Sequence, residues 1–274
     1  MEPTGVAVVT GASRGIGRAV ALELGRTGFE VVATMRDPAA GSDLVEQARR
    51  DGTRVRVEPL DVTRPAAIRM PDGLRVLVNN AGIEGEHHAV ESTPMQVWRE
   101  VFETNVFGLI AVTAAALPRL RGSGGGVICN LTSSSLFAPM PFFAPYRASK
   151  AAVAALDESL RAEVAGFGIR VVEIMPGPID TDMYAQSEEP MGAVDDPVYA
   201  ELAATVTELK SHSRAMLHPV DEAARAIVAA ILDDAGPMRY GCDPLSVAML
   251  DQWRRSSDEE MMLGMLAAFS PSSP

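Results

Sequence analysis

Two side chains that can share a proton stand four residues apart, at Tyr146 and Lys150 in the segment Tyr-Arg-Ala-Ser-Lys. Four residues make about one turn of an α-helix, so both side chains would leave the same helix face. A phenol with a pKa of about 10 exchanges its proton poorly at neutral pH, and an adjacent ammonium group is expected to lower that pKa. Ser133 precedes Tyr146 by thirteen residues and could place a hydroxyl on the same substrate oxygen. The spacing predicts a tyrosine that acts as a general acid or base.

Lysine itself is rare in this chain. Lys150 and Lys210 are the only two lysines, and the other basic side chains are arginines apart from four histidines. An arginine would serve an ordinary salt bridge, so an ammonium group at position 150 indicates a specific requirement. The competing interpretation is that a tyrosine and a lysine at this spacing are neighbours on a helix surface.

Other reactive residue types are weaker candidates. His87 and His88 are adjacent, a pattern more typical of an exposed loop than of catalysis, and no carboxylate or cysteine completes a metal-binding set around them. Cys129 lies in an apolar run and is expected in the core. The sequence therefore predicts no metal site and no thiol nucleophile.

The composition limits the kind of protein that holds these groups. The chain has 274 residues, of which 47% are hydrophobic and 22% charged, as in one large soluble α/β domain. A net charge of −12 argues against nucleic-acid binding. No apolar stretch was expected to approach the roughly 20 residues that span a bilayer, and no secretion signal is recognised. A cytoplasmic location without membrane contact is expected.

Strand and helix patterns alternate along the chain. Strands are predicted at 6–10, 31–34, 55–59, 76–78, 127–131 and 169–175, with a short one near 239–241; helices are predicted at about 16–27, 42–51, 94–120, 146–165, 200–211 and 220–232. Strands that are apolar on both faces indicate an α/β fold with a doubly wound parallel sheet. One domain over 1–274 is expected, with a substrate lid at about 180–219 and a frayed tail at 270–274.

A glycine-rich turn follows the first predicted strand, from Thr10 to Gly17. Glycines at 11, 15 and 17 allow a tight turn and let backbone N–H groups approach a pyrophosphate at the start of a helix. The spacing, Gly-x-x-x-Gly-x-Gly, differs from the usual dinucleotide fingerprint. Its position between a strand and a helix still predicts a dinucleotide site.

The end of the second strand bears on which dinucleotide is bound. A carboxylate at this point would bind the ribose diol of NAD, but the chain has Met35 followed by Arg36. Arg36 and Arg14 could bracket a 2′-phosphate, which predicts that NADP(H) is preferred over NAD(H). The alternative is that Asp37 binds the ribose while Arg36 faces solvent.

Several separated motifs occur in a recognisable order. They are the turn from Thr10 to Gly17, Asp61 in Leu-Asp-Val, the segment from Asn79 to Gly82, Asn105, Ser133, Tyr146 with Lys150, and the segment from Pro176 to Thr181. Together they resemble the classical short-chain dehydrogenase/reductase family, over nearly the whole chain. The end of the second strand is similar to the NADP-preferring branch of that family. The resemblance implies a single-domain Rossmann-type fold and a homodimer or homotetramer.

The resemblance also implies roles for individual residues. The catalytic set would be Asn105, Ser133, Tyr146 and Lys150; the cofactor-binding set would be Gly11, Ser13, Arg14, Gly15, Ile16, Gly17, Arg36, Asp61, Val62, Asn79, Ala81, Gly82, Tyr146, Lys150, Pro176, Gly177, Ile179 and Thr181. In the family, Asn105 would interrupt its helix and hold a water that connects Lys150 to solvent. On its own, an asparagine in an apolar helix is better explained by a bond to a neighbouring carbonyl.

The expected activity is hydride transfer between NADP(H) and a small-molecule ketone or secondary alcohol. Six side chains suggest a hydrophobic substrate: Phe137, Met140, Phe142, Phe143, Met183 and Tyr184. Alternatively, half of them belong to the core or to a subunit contact. Two other functions remain open, a dehydrogenase that works mainly in oxidation and a non-catalytic dinucleotide sensor.

Overall fold

Seven parallel strands lie at the centre of the computed structural model, which describes residues 1–187 and 191–269. The strands are β1 (Val6–Thr10), β2 (Glu30–Met35), β3 (Val55–Pro59), β4 (Leu74–Asn79), β5 (Gly126–Leu131), β6 (Ile169–Met175) and β7 (Arg239–Gly241). Their order across the sheet is β3-β2-β1-β4-β5-β6-β7, and every neighbouring pair is parallel. The predicted strands and their parallel arrangement are confirmed.

Helices cover both faces of the sheet. Within the described residues they are α1 (Gly15–Thr27), α2 (Ser42–Arg50), α3 (Met95–Phe102), α4 (Leu109–Gly122), α5 (Ala144–Val164), α6 (Asp182–Ser187), α7 (Ala200–Ser213), α8 (Val220–Leu232), α9 (Pro244–Trp253) and α10 (Asp258–Phe269). One core cluster contains Leu24 of α1 and Ile231 of α8. Another contains Val112 of α4 and Leu160 of α5. The sheet is therefore doubly wound, as predicted.

The winding direction of the chain reverses between β1 and β4. From β1 the chain builds outward to β2 and β3, and then returns to place β4 on the other side of β1. In such sheets a crevice opens at the carboxyl ends of the two central strands, where ligands bind. The glycine-rich turn follows β1, and the segment from Asn79 to Gly82 follows β4, so both predicted motifs lie at this crevice.

The long helix predicted at 94–120 consists of three parts. α3 and α4 are joined by a π-helical turn at Glu103–Gly108. Taken together, Met95–Gly122 is long and apolar enough to cross a membrane, with a mean hydropathy of 1.5 over 18 residues. The expectation that no stretch has this character is therefore wrong. Its apolarity has a structural cause, because Val112 and Leu120 of α4 are buried in the core beside the sheet.

Two helices at the C-terminal end, α9 and α10, were not predicted from the sequence. The first turn of α9 carries a capping box, in which the Asp243 carboxylate accepts from Ser246 N (2.9 Å) and the Ser246 hydroxyl accepts from Asp243 N (3.3 Å). This motif, followed by proline at the first helical position, was a readable signal for a helix start. The predicted lid at 180–219 contains α6 and α7; its residues 188–190, like the tail at 270–274, lie outside the described residues.

A buried ion pair holds the β7 edge of the sheet. Glu173 of β6 is 0% exposed; its carboxylate accepts from Arg239 Nε of β7 (2.8 Å) and from the Thr132 hydroxyl (2.9 Å). Arg239 also pairs with the exposed Glu158 at 2.6 Å and packs over the Trp253 ring. Burial of a carboxylate costs free energy unless an opposite charge pairs with it, and Arg239 provides that charge for Glu173.

We expect Arg239→Met to lower the free energy of unfolding by about 3 kcal/mol, because Glu173 would be left as an uncompensated buried charge. Methionine keeps an apolar stem against Trp253. Glu158→Gln, which removes the exposed member of the same network, should cost less than about 1 kcal/mol. Urea denaturation of both variants provides the measurement. Equal, small losses would show that the buried pair does not stabilise this edge.

Candidate active site

A cavity of about 1430 Å³ opens at the carboxyl ends of the strands. Its wall contains the glycine-rich turn after β1, the loop after β4, and Ser133, Tyr146 and Lys150. Helices α6, α7, α9 and α10 contribute further side chains. The three groups predicted to carry chemistry therefore share one cavity with the predicted dinucleotide turn.

Ser133 and Tyr146 meet at the start of α5. Ser133 comes two residues after β5, and its hydroxyl accepts from Ser135 N at 3.1 Å, which fixes a short 3₁₀ turn. Tyr146 lies in the first turn of α5, next to Pro145, whose missing N–H is not needed at that position. The Ser133 hydroxyl lies near the Tyr146 phenol and lowers its pKa. Two donors are thus available to one substrate oxygen.

Lys150 follows one helical turn later and points toward the same strand end. It is 7% exposed, and its Nζ donates to the Leu131 carbonyl at 2.7 Å. The same nitrogen lies 5.6 Å from the centroid of the Tyr146 ring. The prediction that Tyr146 and Lys150 share a helix face is confirmed by this geometry.

The electrostatics of the pair differ from the expectation. Burial raises the pKa of the Tyr146 phenol above its usual range, the Glu84 carboxylate raises it further, and the Ser133 hydroxyl lowers it. The net shift of the phenol pKa is therefore upward, opposite to the expected lowering. Burial also lowers the pKa of Lys150 to about 8, against the opposing effect of Asp157. At neutral pH the phenol is protonated and the lysine keeps its charge.

Asn105 connects three parts of the site. It lies in the π-helical turn, so the predicted interruption of the helix is confirmed. Its side chain accepts from Ile83 N and donates to Ile83 O, both at 2.8 Å, and also donates to the Ser149 hydroxyl at 3.0 Å. Asn105 thereby fixes the loop after Gly82 against α5, rather than bonding a carbonyl of its own helix. Its predicted water remains a prediction.

The glycine-rich turn has the shape that a pyrophosphate requires. Gly11 and Gly15 adopt left-handed backbone angles, with φ of +64° and +56°. A Cβ on Gly17 would overlap the Asn80 side-chain amide, which donates to Thr10 O (2.9 Å) and Gly11 O (3.0 Å). The N-cap residue of α1, Arg14, makes no side-chain hydrogen bond to the first turn of the helix. The free N–H groups there fit a dinucleotide phosphate.

Most of the predicted cofactor residues line the cavity. They are Gly11, Ser13, Arg14, Gly15, Ile16, Arg36, Asp61, Val62, Ala81, Gly82, Tyr146, Lys150, Pro176, Gly177, Ile179 and Thr181. Gly17 is buried within α1. The Asn79 side chain points into the sheet and donates to Thr113 Oγ1 (3.0 Å) and Asn130 Oδ1 (2.8 Å). Its neighbour Asn80, which the sequence reasoning missed, lines the cavity instead.

The charged residues that bear on the choice of dinucleotide come from the glycine-rich turn and from the segment after β2. Arg36 is exposed, and both it and Arg14 line the cavity. Arg14 Nη1 lies 3.6 Å from the Asp182 carboxylate of α6. Asp37 caps the short 3₁₀ helix Pro38–Gly41, where its Oδ1 accepts from Ala39 N at 2.9 Å. Two arginines therefore face the cavity while the nearby carboxylate is engaged by backbone.

The C-terminal helices supply part of the wall that the sequence reasoning missed. Met249 and Gln252 of α9 and Met261 and Met265 of α10 line the cavity. The Asp243 carboxylate, which caps α9, also accepts from Gly177 N at 2.7 Å. This bond holds the loop after β6, the location of the predicted nicotinamide segment.

The aromatic residues between Ser133 and Tyr146 divide between the cavity and the core. Phe137, Met140 and Phe143 line the cavity, as do Met183 and Tyr184 of α6. Phe142 packs with Phe143 in a core cluster that includes Met191 and Val206, but Phe142 does not line the cavity. The apolar expectation holds for the cavity wall, whereas Phe142 follows the alternative interpretation.

The two adjacent histidines and Cys129 lie in different environments. His87 is 9% exposed, with its ring centroid 4.1 Å from that of Phe143, so its predicted place on an exposed loop is wrong. His88 Nε2 contacts the exposed Glu86 carboxylate at 3.0 Å. Cys129 is fully buried, and burial raises the pKa of its thiol, which confirms it as a core residue.

Comparison with known proteins gives these features a context. The uncharacterized oxidoreductase YusZ of Bacillus subtilis (strain 168) is 38% identical over an alignment of 205 residues, with 71% of this chain and 72% of that protein covered. A short chain dehydrogenase from Burkholderia cenocepacia J2315, solved in complex with NADP, has a TM-score of 0.75 and 27% identity over 99% of this chain and 100% of that chain.

A second solved structure shows the same fold at lower identity. This short chain dehydrogenase/reductase from Burkholderia phymatum, in complex with NAD, has a TM-score of 0.77 and 24% identity, covering 100% of this chain and 99% of that chain. The similar structures thus hold either NADP or NAD. A family model described as short chain dehydrogenase matches residues 5–192. With this match and the assembled site, the chain belongs to the short-chain dehydrogenase/reductase family of oxidoreductases.

Proposed function

We propose that the protein reduces an apolar ketone with NADPH, by hydride transfer that is reversible toward the secondary alcohol. The observation that carries this proposal is the Tyr146 phenol, which shares a cavity with Ser133, with the buried Lys150 one helical turn away and with the glycine-rich turn. A sensor of the dinucleotide would have no need of this complete set.

The side chains divide the work of reduction. The nicotinamide, when bound, supplies the hydride to the carbonyl carbon. Ser133 and Tyr146 donate hydrogen bonds to the carbonyl oxygen as it gains negative charge, and each such donor commonly contributes about 2.7–4 kcal/mol. Tyr146 then transfers its proton to that oxygen. The ammonium group of Lys150 lies 5.6 Å from the ring and stabilises the phenolate that remains.

The raised pKa of Tyr146 supports the direction of the proposal. The phenol keeps its proton at neutral pH because burial and the Glu84 carboxylate both disfavour the phenolate. A protonated phenol is the form that reduction requires, whereas oxidation of an alcohol needs the phenolate as a base. The same residues serve both directions, so the cofactor ratio in the cell also contributes.

The preference for NADP(H) is proposed from an arginine in the glycine-rich turn and another after β2. Arg14 and Arg36 line the cavity and present guanidinium groups suited to a 2′-phosphate. Asp37, the alternative ribose ligand, is engaged as the cap of Pro38–Gly41. Arg14 would exchange its contact with Asp182 for the phosphate.

We also propose self-association, as a homodimer or homotetramer, in the cytoplasm. Phe107 of the π-helical turn and Ile110 of α4 are exposed apolar side chains on one stretch of the chain, which favours an interface between copies. Cys129 and Cys242 are both free and buried thiols, as is common in reducing compartments.

Tyr146→Phe should lower kcat for ketone reduction at least about 100-fold, since it removes the general acid while keeping the ring. Binding of NADPH, followed by its fluorescence, should be unchanged. Tyr184→Phe is the matched control, because it removes another phenol from the wall of the same cavity. A Tyr146→Phe enzyme with near-normal kcat would mean that another group donates the proton.

Arg36→Gln should reduce the ratio of kcat/KM with NADPH to kcat/KM with NADH at least about tenfold, through a higher KM for NADPH. The loss follows from removal of a charge-assisted contact to the 2′-phosphate. Arg50→Gln, an exposed arginine on α2, serves as the control for a change in net charge. The proposal for NADP fails if the wild-type enzyme turns over NADH as well as NADPH.

The rate of ketone reduction should fall as the pH rises through about 8, the pKa to which burial lowers Lys150. Below this pH the ammonium group is present and stabilises the developing phenolate; above it the charge is lost. The pH profile of kcat at saturating NADPH measures the effect. In Lys150→Arg the charge persists, so the residual activity should show no such decline. A wild-type profile that stays flat to pH 9.5 would contradict this assignment.

A further inference from the structure

Among the carboxylates that line the cavity, Glu84 is the one whose charge acts on the Tyr146 phenol. Glu84 follows Gly82 by two residues, in the loop after β4, and its side chain is 18% exposed. It lines the same cavity as Tyr146, together with Met140 and Phe143. A half-buried charge in an apolar wall is costly, so its position there calls for a partner.

The protein supplies only a weak partner to this carboxylate. His87 Nε2 lies 3.5 Å from Glu84 Oε1, and within the described part of the chain this buried nitrogen has no hydrogen-bond partner. The His87 ring is fixed from behind by its contact with Phe143. The loop itself is fixed through Ile83, which exchanges two hydrogen bonds with Asn105. Glu84 is thus held in place with spare capacity to accept hydrogen bonds.

Glu84 lies on the side of the cavity that holds the reacting groups, because its neighbour His87 packs against Phe143, three residues before Tyr146. After burial, the charge of Glu84 is the largest influence that raises the pKa of the Tyr146 phenol. The other charge beside the phenol is Lys150 on the same helix, and Ser133 contributes its hydroxyl from the loop after β5. A substrate whose carbonyl meets Tyr146 and Ser133 therefore places its neighbouring atoms within the field of Glu84.

We propose that Glu84 determines specificity by selecting ketones that carry a hydrogen-bond donor, a hydroxyl or a protonated amine, on the carbon next to the carbonyl, and by rejecting a carboxylate at that position. The inference rests on the proposed ketone reduction and goes beyond it in naming a polar feature of the substrate. A donor would satisfy the carboxylate, an alkyl group would leave it desolvated without a partner, and an anion would add repulsion.

The cavity also contains a cation. Lys210 of α7 lines the cavity, with its Nζ 4.7 Å from the centroid of the Phe143 ring. An anionic group farther from the carbonyl could interact with this lysine. The test therefore keeps the charged or polar group on the carbon attached to the carbonyl.

The experiment measures kcat/KM with NADPH for three aryl ketones, acetophenone, 2-hydroxyacetophenone and benzoylformate. The readout is the ratio of kcat/KM for 2-hydroxyacetophenone to that for benzoylformate, compared between wild type and Glu84→Gln. Because the ratio is compared between variants, the intrinsic reactivity of the ketones cancels. Glu86→Gln is the matched control, since this carboxylate lies in the same loop beside a histidine but is 72% exposed.

Glu84→Gln should lower this ratio at least about tenfold, since it removes both a charge-assisted acceptor and the repulsion of the anion. Glu86→Gln should leave the ratio unchanged. An unchanged ratio in Glu84→Gln overturns the inference while ketone reduction itself stands. No turnover of any of the three ketones by the wild-type enzyme would instead remove the proposed function, and the inference with it.

A second measurement needs no variant. Inhibition of the wild-type enzyme by 2-amino-1-phenylethanol, which carries an aminomethyl group with an ammonium charge, is compared with inhibition by mandelate, in which a carboxylate replaces that group. The amino alcohol should bind at least about tenfold more tightly. Equal binding, or tighter binding of mandelate, would overturn the role of Glu84.

Discussion

The hydrogen bond from Lys150 Nζ to the Leu131 carbonyl is the contact on which the geometry of the site depends. Leu131 ends β5, and Ser133 follows it by two residues, so the bond ties α5 to the strand that presents the serine. Both ends are buried, and water therefore competes little for them. The distance between Tyr146 and Ser133 is consequently set by the packing of a helix on a strand, which is more rigid than a contact between two loops.

Burial shifts the pKa values of both Tyr146 and Lys150. It raises the pKa of the phenol and lowers that of the lysine, so each group favours its uncharged form more than it would in water. Asn105 contributes from a third direction, because the π-helical turn lets its side chain reach the loop after β4. That loop carries Glu84, whose charge acts on the phenol. Groups from the end of β5, from α5 and from the loop after β4 thus all affect the proton of the Tyr146 phenol.

The sequence predicted the features that depend on local spacing. Strand positions, the glycine-rich turn and the pairing of Tyr146 with Lys150 follow from periods of two and of about 3.6 residues. Features that depend on distant partners were missed. Asn79 and Asn80 are adjacent and identical in type, yet one bonds inside the sheet and the other lines the cavity. His87 is buried by Phe143, 56 residues away, which no local pattern reveals.

Asp243 serves two segments that are far apart in the chain. Its carboxylate begins α9 and also holds Gly177 N at 2.7 Å, in the loop where the nicotinamide is expected. If an exopeptidase removed the C-terminal helices, the first turn of α9 would no longer hold the Asp243 carboxylate in place. Its hydrogen bond to Gly177 N would then weaken. Removal of these helices would therefore weaken binding of the dinucleotide, and a bound dinucleotide would in turn protect the helices from digestion.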